Sequence, residues 1–205
     1  MRTFVYFSSK ARTSGNWEDL MKAGRMDIVC HVVINSFYIS NAMRDDVKLH
    51  LVFYGPPDPP KHIEISVKKE KGMPETGKET GSLDISKKDV AGLIKRILFK
   101  YREGKKTEAF PGCWVERKNL FDVLRELENE GKEIYVLDEK GEDLRGINSE
   151  ELKDAVFVLG DHEGLPSKEL KRMKKMYTPV SLGKVMYFAS HVVAIVNYEL
   201  DRLGI

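Results

Sequence analysis

Two glycine-bearing segments near the end of the 205-residue chain carry the residue types that could do chemistry: Gly160-Asp161-His162-Glu163-Gly164 and Ser181-Leu182-Gly183-Lys184-Val185. Each follows a short apolar run, at 155–159 and 178–182. Glycine has no Cβ and tolerates unusual backbone angles, so main-chain amides and carbonyls at these points can approach a ligand closely. Neither segment fits the G-x-G-x-x-G dinucleotide pattern or the G-x-x-x-x-G-K-[ST] phosphate loop. Taken singly, each loop reads equally well as an ordinary turn.

Asp161, His162 and Glu163 invite an acid–base or metal reading. Neighbouring side chains in a loop point in different directions, and no second group of ligand-type residues lies close in sequence, so no metal is expected. Asp161 and His162 are expected to fix the loop by local hydrogen bonds. Just beyond, Lys168, Lys171, Arg172, Lys174 and Lys175 put five cations into eight residues. On a helix such a cluster can follow a phosphate backbone or form a solvated face. A second group, Lys95, Arg96, Lys100, Arg102, Lys105 and Lys106, offers the same choice. With 34 Lys and Arg against 32 Asp and Glu, the formal charge is only +2, so any RNA contact must come from local clustering.

The elements that must position these residues follow from periodicity. Residues 155–159 read as a buried strand, and 178–182 as a strand that tolerates an edge because of Pro179. A short basic helix fits 166–176. The last helix, 185–203, places Val185, Phe188, Ala189, Val192, Val193, Val196, Leu200 and Leu203 on one stripe, while Met186, Ile195 and Tyr198 fall off it. A helix apolar on more than one side wants cover on more than one side, which suggests a subunit interface and a homodimer. The alternation of strand and helix implies an α/β fold whose mostly parallel sheet binds its ligand at the carboxyl ends of the strands.

Upstream, strands are expected at 3–7, 47–54, 62–67 and 133–137, with a breaker at 55–60. Helices are expected at 16–21, from Asp27 as cap, at 86–101 behind a Ser86/Asp89 capping box, at 117–130, and briefly after Asn148 or Ser149. Residues 68–81 read as a polar loop, 82–85 as a short strand, 108–114 as a turn and 138–146 as a polar turn. At 41% hydrophobic and 32% charged residues, the composition suits one globular domain. No apolar run approaches the ~18 residues of a membrane span, and residues 1–7 are too short for a signal peptide, so a cytoplasmic protein is expected. Cys30 and Cys113 stand far apart and read as small buried hydrophobes.

The tail FVLGDHEGLP, followed by VSLGKVMYFASHVVAIVNYELDRL, resembles the C-terminal half of the SPOUT methyltransferases. It is most similar to the archaeal TrmY family of tRNA (pseudouridine-54) N1-methyltransferases, a sister of the ribosomal pseudouridine methyltransferases. The segments GRMDIVCHVVINSFYISNAMRDD and VFYGPP extend the resemblance over most of the chain. It implies a single domain, 1–205, with an elaborated part at 1–106 and, at 107–205, a cofactor-binding half tied in a C-terminal trefoil knot. It further implies S-adenosylmethionine as cofactor, tRNA as partner and methylation of pseudouridine at N1. By position, the cofactor contacts fall on Leu137, Gly160, Ser181, Leu182, Gly183 and Val185.

The nucleophile would then be a weakly acidic ring nitrogen, whose deprotonation needs a carboxylate or nearby positive charge. In the polar islands GRMD and MRDD, Asp27 is the candidate base and Arg25 its electrostatic partner, with Arg44 in reserve and as an RNA contact beside Lys171, Arg172, Lys174 and Lys175. Helix capping for Asp27 and a surface ion pair for Arg25 are the plainer readings. A cysteine found near the start of the last helix in some relatives is absent, since His191-Val192 stand there, which speaks against a catalytic cysteine. Two other functions stay open at this point: methylation of a pseudouridine in small-subunit ribosomal RNA, and a non-catalytic RNA-binding dimer.

Overall fold

Strand β1 (Arg2–Ser8) is buried along its whole length. A strand covered on both faces reads as a continuous apolar run, as Phe4-Val5-Tyr6-Phe7 does. The computed structural model describes residues 1–40, 42–67 and 86–205; the loop and short strand expected at 68–85 lie outside them. β1 pairs in parallel with β4 (Val47–Phe53) and β9 (Val156–Leu159). Beyond β9 the parallel ladder continues to β8 (Ile134–Asp143) and ends at β10 (Thr178–Ser181). Pro179 thus lies in an edge strand, where a missing amide is tolerated. On the other side β5 (Lys61–Ser66), β7 (Cys113–Glu116) and β6 (Thr107–Phe110) add antiparallel neighbours, giving the order β10-β8-β9-β1-β4-β5-β7-β6. A separate ribbon pairs β2 (Tyr38–Ile39) with β3 (Ala42–Met43).

A parallel sheet must be covered on both faces. Helices α1 (Met26–Phe37), α2 (Lys87–Phe99) and α6 (Ala189–Leu203) pack on one, joining Val29, Val33, Ile94, Val193 and Leu200 to Phe4, Tyr6 and Leu49. Helices α3 (Leu120–Asn129) and α5 (Ser167–Met173) cover the other, bringing Val123, Leu127 and Met173 onto Val5, Phe7 and Val158. Each such side chain contributes about 1.5–3 kcal/mol through burial. A single turn, α4 (Ser149–Leu152), is capped by Asn148, whose side chain accepts from the Glu150 amide. Cys30 and Cys113 are buried and free, and burial pushes the Cys30 thiol up to about 12.

Five local expectations are corrected. Residues 16–21 form no helix: the Asp19 carboxylate takes the amides of Met21 and Lys22 into a tight turn, and Trp17 is buried beside it. Arg25, not Asp27, stands at the head of α1, in left-handed backbone with φ 63°. The expected turn at 108–114 is instead the β6–β7 hairpin, because Glu108 pairs with Trp114 and Phe110 with Cys113. The polar stretch 138–143 continues β8, because Val180 and Ser181 of β10 pair with Glu142 and Asp143. Finally, α6 starts at Ala189, and Val185–Phe188 run into it as exposed, non-helical chain.

The antiparallel half buries a polar chain. His50 Nδ1 lies 2.9 Å from His62 Nε2, and His62 Nδ1 lies 3.1 Å from Glu116 Oε1. Lys118 donates to Glu116 and Glu126, at 2.7 Å each. Burial lowers both imidazoles below 6.5, His50 well below, and the neighbouring His62 opposes protonation of His50 further. Burial alone would raise Glu116, but hydrogen bonds from His62 and Lys118 prevail and bring it down to about 2.

Imidazoles that protonate less readily when folded withdraw stability as pH falls below 6.5, the unfolded value. Glu116 works differently, adding stability above 4.5 that is lost only as pH drops toward about 2. Urea unfolding followed against pH should therefore show a decline beginning near 6.5, and His50→Leu should make it shallower above the carboxylate range, leaving the share of His62. An identical decline in the variant would remove His50 from this account.

Candidate active site

The segments that follow β9 and β10 leave the same carboxyl edge of the sheet and, with the middle of β8, enclose a cleft of about 530 Å³. β8 contributes Leu137, Asp138 and Glu139. They reach the cleft because the β8–β10 register shifts: Thr178 and Pro179 face Tyr135 and Val136, whereas Val180 and Ser181 face Glu142 and Asp143. The chain after β9 supplies Gly160, Asp161, His162, Glu163, Gly164 and Leu165. Leu182, Gly183 and Val185 through Phe188 come from the chain after β10, with Ala189 and Val192 of α6 behind them. All six residues expected to contact a cofactor, Leu137, Gly160, Ser181, Leu182, Gly183 and Val185, line this one cleft. Its size and its largely apolar wall suit a small organic ligand.

Local chemistry shapes both loops. A Cβ on Gly160 would stand 2.3 Å from the carbonyl carbon of Gly164, so the loop closes on itself only with glycine there. Gly164 N donates to the Asp161 carbonyl at 2.9 Å to complete the turn. Gly183 adopts φ +109°, with open space where a side chain would be. Beside it the Ser181 hydroxyl accepts from the Gly183 amide at 3.1 Å and donates to its carbonyl at 3.0 Å.

Asp161 does more than steady its own loop. One oxygen accepts from the Glu163 amide at 2.9 Å. The other accepts from the Ser8 hydroxyl at 2.8 Å and the Ser9 amide at 3.1 Å, across from the end of β1. Lys10 pairs with Glu163 over the same gap. Sequence reasoning missed Ser8, Ser9 and Lys10; the available signal was that they too follow a buried parallel strand, where ligand sites form. It also missed Met186, Tyr187 and Phe188 as cleft residues, since their apolar character was absorbed into a helical stripe.

Arg25 and Asp27 do not line the cleft. They form a bidentate pair, Nε to Oδ1 and Nη2 to Oδ2 at 2.9 Å each, and the bonds from Arg25 lower the Asp27 pKa. The chain just before the pair packs on the turn after β1: Arg12 N donates to the Ala23 carbonyl at 3.2 Å, and a Cβ on Gly24 would stand 1.7 Å from the Lys10 carbonyl oxygen.

The basic residues separate into two kinds. Lys171 and Lys175 are exposed, and Arg172 is exposed while its guanidinium stacks 4.0 Å from the Phe121 ring. Lys174 is held by Asp138 of the cleft at 2.8 Å. Arg44 is not brought to the cleft: it makes a bidentate pair with Asp201 of α6, at 2.8 and 2.5 Å. Among the described residues no group of three or more His, Cys, Asp or Glu is arranged to hold a metal ion, and no helix is long and apolar enough to cross a membrane.

Comparison with known proteins agrees with this geometry. Residues 1–205 match the family model described as SAM-dependent RNA methyltransferase. The tRNA (pseudouridine(54)-N(1))-methyltransferase of Methanosarcina acetivorans is 34% identical over 206 residues, spanning 98% of this chain and 92% of the relative. Its namesake from Pyrococcus abyssi is 31% identical over 208 residues and spans 100% of both chains. The crystal structure of Archaeoglobus fulgidus Nep1 bound to S-adenosylhomocysteine is similar with a TM-score of 0.57 over 98% of each chain, and at 16% identity that likeness concerns the fold. With the family model matched from end to end, this chain belongs to the SAM-dependent RNA methyltransferases.

Proposed function

We propose that this protein transfers the methyl group of S-adenosylmethionine to N1 of pseudouridine 54 in the T-loop of tRNA. The observation that carries the reading is the cleft in which all six expected contact residues meet, in a chain similar over nearly its full length to relatives named for that reaction. Gly160, Ser181 and Gly183 would present main-chain groups to the cofactor, and Leu137, Leu182 and Val185 would bury its apolar parts. Bound there, S-adenosylmethionine would supply a sulfonium methyl to N1 and leave as S-adenosylhomocysteine. The N1 proton passes to Asp27. Arg25 stabilises negative charge on the ring while the proton departs, and the cleft keeps donor and nucleophile in line. Pairing with Arg25 keeps Asp27 ionised and weakly basic, so alignment must supply much of the rate. Such a transfer needs no metal.

Lys171, Arg172 and Lys175, beside the cleft, are the RNA contacts of this reading, with Lys174 and Arg44 joining only by leaving Asp138 and Asp201. A second copy of the chain would cover Val185, Tyr187, Phe188 and Met186, the last 81% exposed, together with Tyr198 on α6. A trefoil knot of SPOUT type is supported by β10 pairing with β8 rather than its sequence neighbour β9, and by Arg145, just after β8, clasping Glu199 of α6 at 2.6 Å. A traced crystal backbone that pulls out straight from its ends would remove the knot. One sheet holding strands from both sides of residue 106 supports a single domain. A tRNA substrate implies a cytoplasmic workplace.

Matched tRNA transcripts with uridine or pseudouridine at position 54 test the reaction, with a small-subunit ribosomal fragment as competitor. Labelled methyl should enter only the pseudouridine transcript; equal labelling of uridine, or preference for the ribosomal fragment, rejects the reading. Asp27→Asn should lower kcat by about 10²- to 10⁴-fold with S-adenosylhomocysteine affinity unchanged. A kcat near wild type would dismiss Asp27 as proton acceptor. Sedimentation should give twice the 23.5 kDa chain mass, and a monomer at assay concentration would defeat the dimer.

A further inference from the structure

We propose that Asp161 is a positioning residue that couples cofactor binding to RNA binding, by tying the loop after β9 to the end of β1 through Ser8 and Ser9. The inference rests on the methyltransferase reading for the identity of its two ligands. Asp161 lies in a surface loop, yet its side chain is 1% exposed. Its two oxygens accept three hydrogen bonds, from the Ser8 hydroxyl, the Ser9 amide and the Glu163 amide. With its oxygens so engaged and its side chain covered, it acts through the segments it holds and not on a proton in transit.

Those segments face different ligands. On one side the 160–165 loop is a wall of the cleft. On the other, the Ser8 hydroxyl also accepts from the amides of Ala11 at 3.1 Å and Lys10 at 3.4 Å, so it shapes the turn after β1. That turn packs on the chain leading into α1: Arg12 N donates to the Ala23 carbonyl at 3.2 Å, and a Cβ on Gly24, next to Arg25, would stand 1.7 Å from the Lys10 carbonyl oxygen. Beneath the turn lies Tyr6, two residues before Ser8 on the same face of β1, its phenol kept protonated by burial and next by Asp161. A ligand that orders the 160–165 loop therefore orders the end of β1 and the ground on which Arg25 and Asp27 stand. Linkage makes the effect reciprocal: whatever the cofactor does for RNA affinity, RNA must do for cofactor affinity.

Calorimetry with S-adenosylhomocysteine, with and without pseudouridine-54 tRNA, reads this coupling without turnover. In the wild type, tRNA should tighten binding by about 5- to 150-fold. Asp161→Asn keeps the size of the side chain but sets an amide donor against a donor now satisfied. It should weaken S-adenosylhomocysteine binding about tenfold and abolish the tightening. Ser8→Ala should lose the tightening and Ser8→Thr, which restores the hydroxyl, should regain it. Thermal melts establish that each variant is folded, and should Asp161→Asn fail, Ser8→Ala, which keeps the Ser9 amide bond, decides. Wild-type coupling retained in the folded variants overturns the proposal, as does a wild type whose S-adenosylhomocysteine affinity ignores tRNA. A wild type that shows the coupling but labels no RNA rejects the proposed reaction and leaves Asp161 in its role.

Discussion

The pairing of β10 with β8 shapes the site. Had the last strand added beside β9, its sequence neighbour, the loops after β9 and β10 would have been set in a different order along the edge. Instead β8 stands between them, with residues 137–141 displaced by the register shift, and the chain after each strand bends toward the same space. A parallel sheet leaves backbone groups open at its carboxyl edge, and here the edge is closed over by α6 and the exposed chain before it. The cleft is therefore a consequence of topology first and of particular side chains second. That agrees with a site whose predicted contacts are mainly glycines, a serine and aliphatic residues.

Charge is arranged around this frame in pairs, each of which restrains a different segment. Arg25–Asp27 locks the head of α1, where left-handed backbone at Arg25 replaces an ordinary cap. Lys174–Asp138 pins the end of the basic helix to the displaced part of β8. Arg2, almost wholly buried, reaches Asp201 at 2.7 Å and the last carbonyl at 2.5 Å, so the first strand and the end of α6 are held together. Exposed pairs of this kind contribute little to stability, whereas buried ones are costly to break because the remaining partner is left uncompensated. Of the three, only Lys174–Asp138 holds a wall of the cleft; the other two fix the head of α1 and the opposite edge of the sheet.

Much of this was legible in the sequence, and the physical reason is burial. Strands covered on both faces must be apolar throughout, so β1 and β9 stand out, and Ser86 with Asp89 marks the head of α2, where the serine accepts the Asp89 amide as expected. What escaped was decided by partners distant in the chain. Residues 138–143 are polar and resemble a turn until β10 lies against them; the stretch 108–114 resembles a turn until β5 supplies a ladder for β7. Periodicity carried the last helix back to Val185, although a stripe of apolar residues serves a cleft wall as well as a helix face. For the candidate site, the glycine loops were visible because glycine is needed locally. Asp161 was read as a local clamp because Ser8, its main partner, is 153 positions away.

In the proposed complex, main-chain groups at three neighbouring strands hold the cofactor, and a crystal structure with S-adenosylhomocysteine tests this most directly. The ligand should lie in the cleft between Leu137, Gly160 and Leu182, hydrogen-bonded to backbone groups of the segments at 137–139, 160–165 and 181–185. A ligand bound elsewhere, or held in the cleft chiefly by charged side chains, would contradict it.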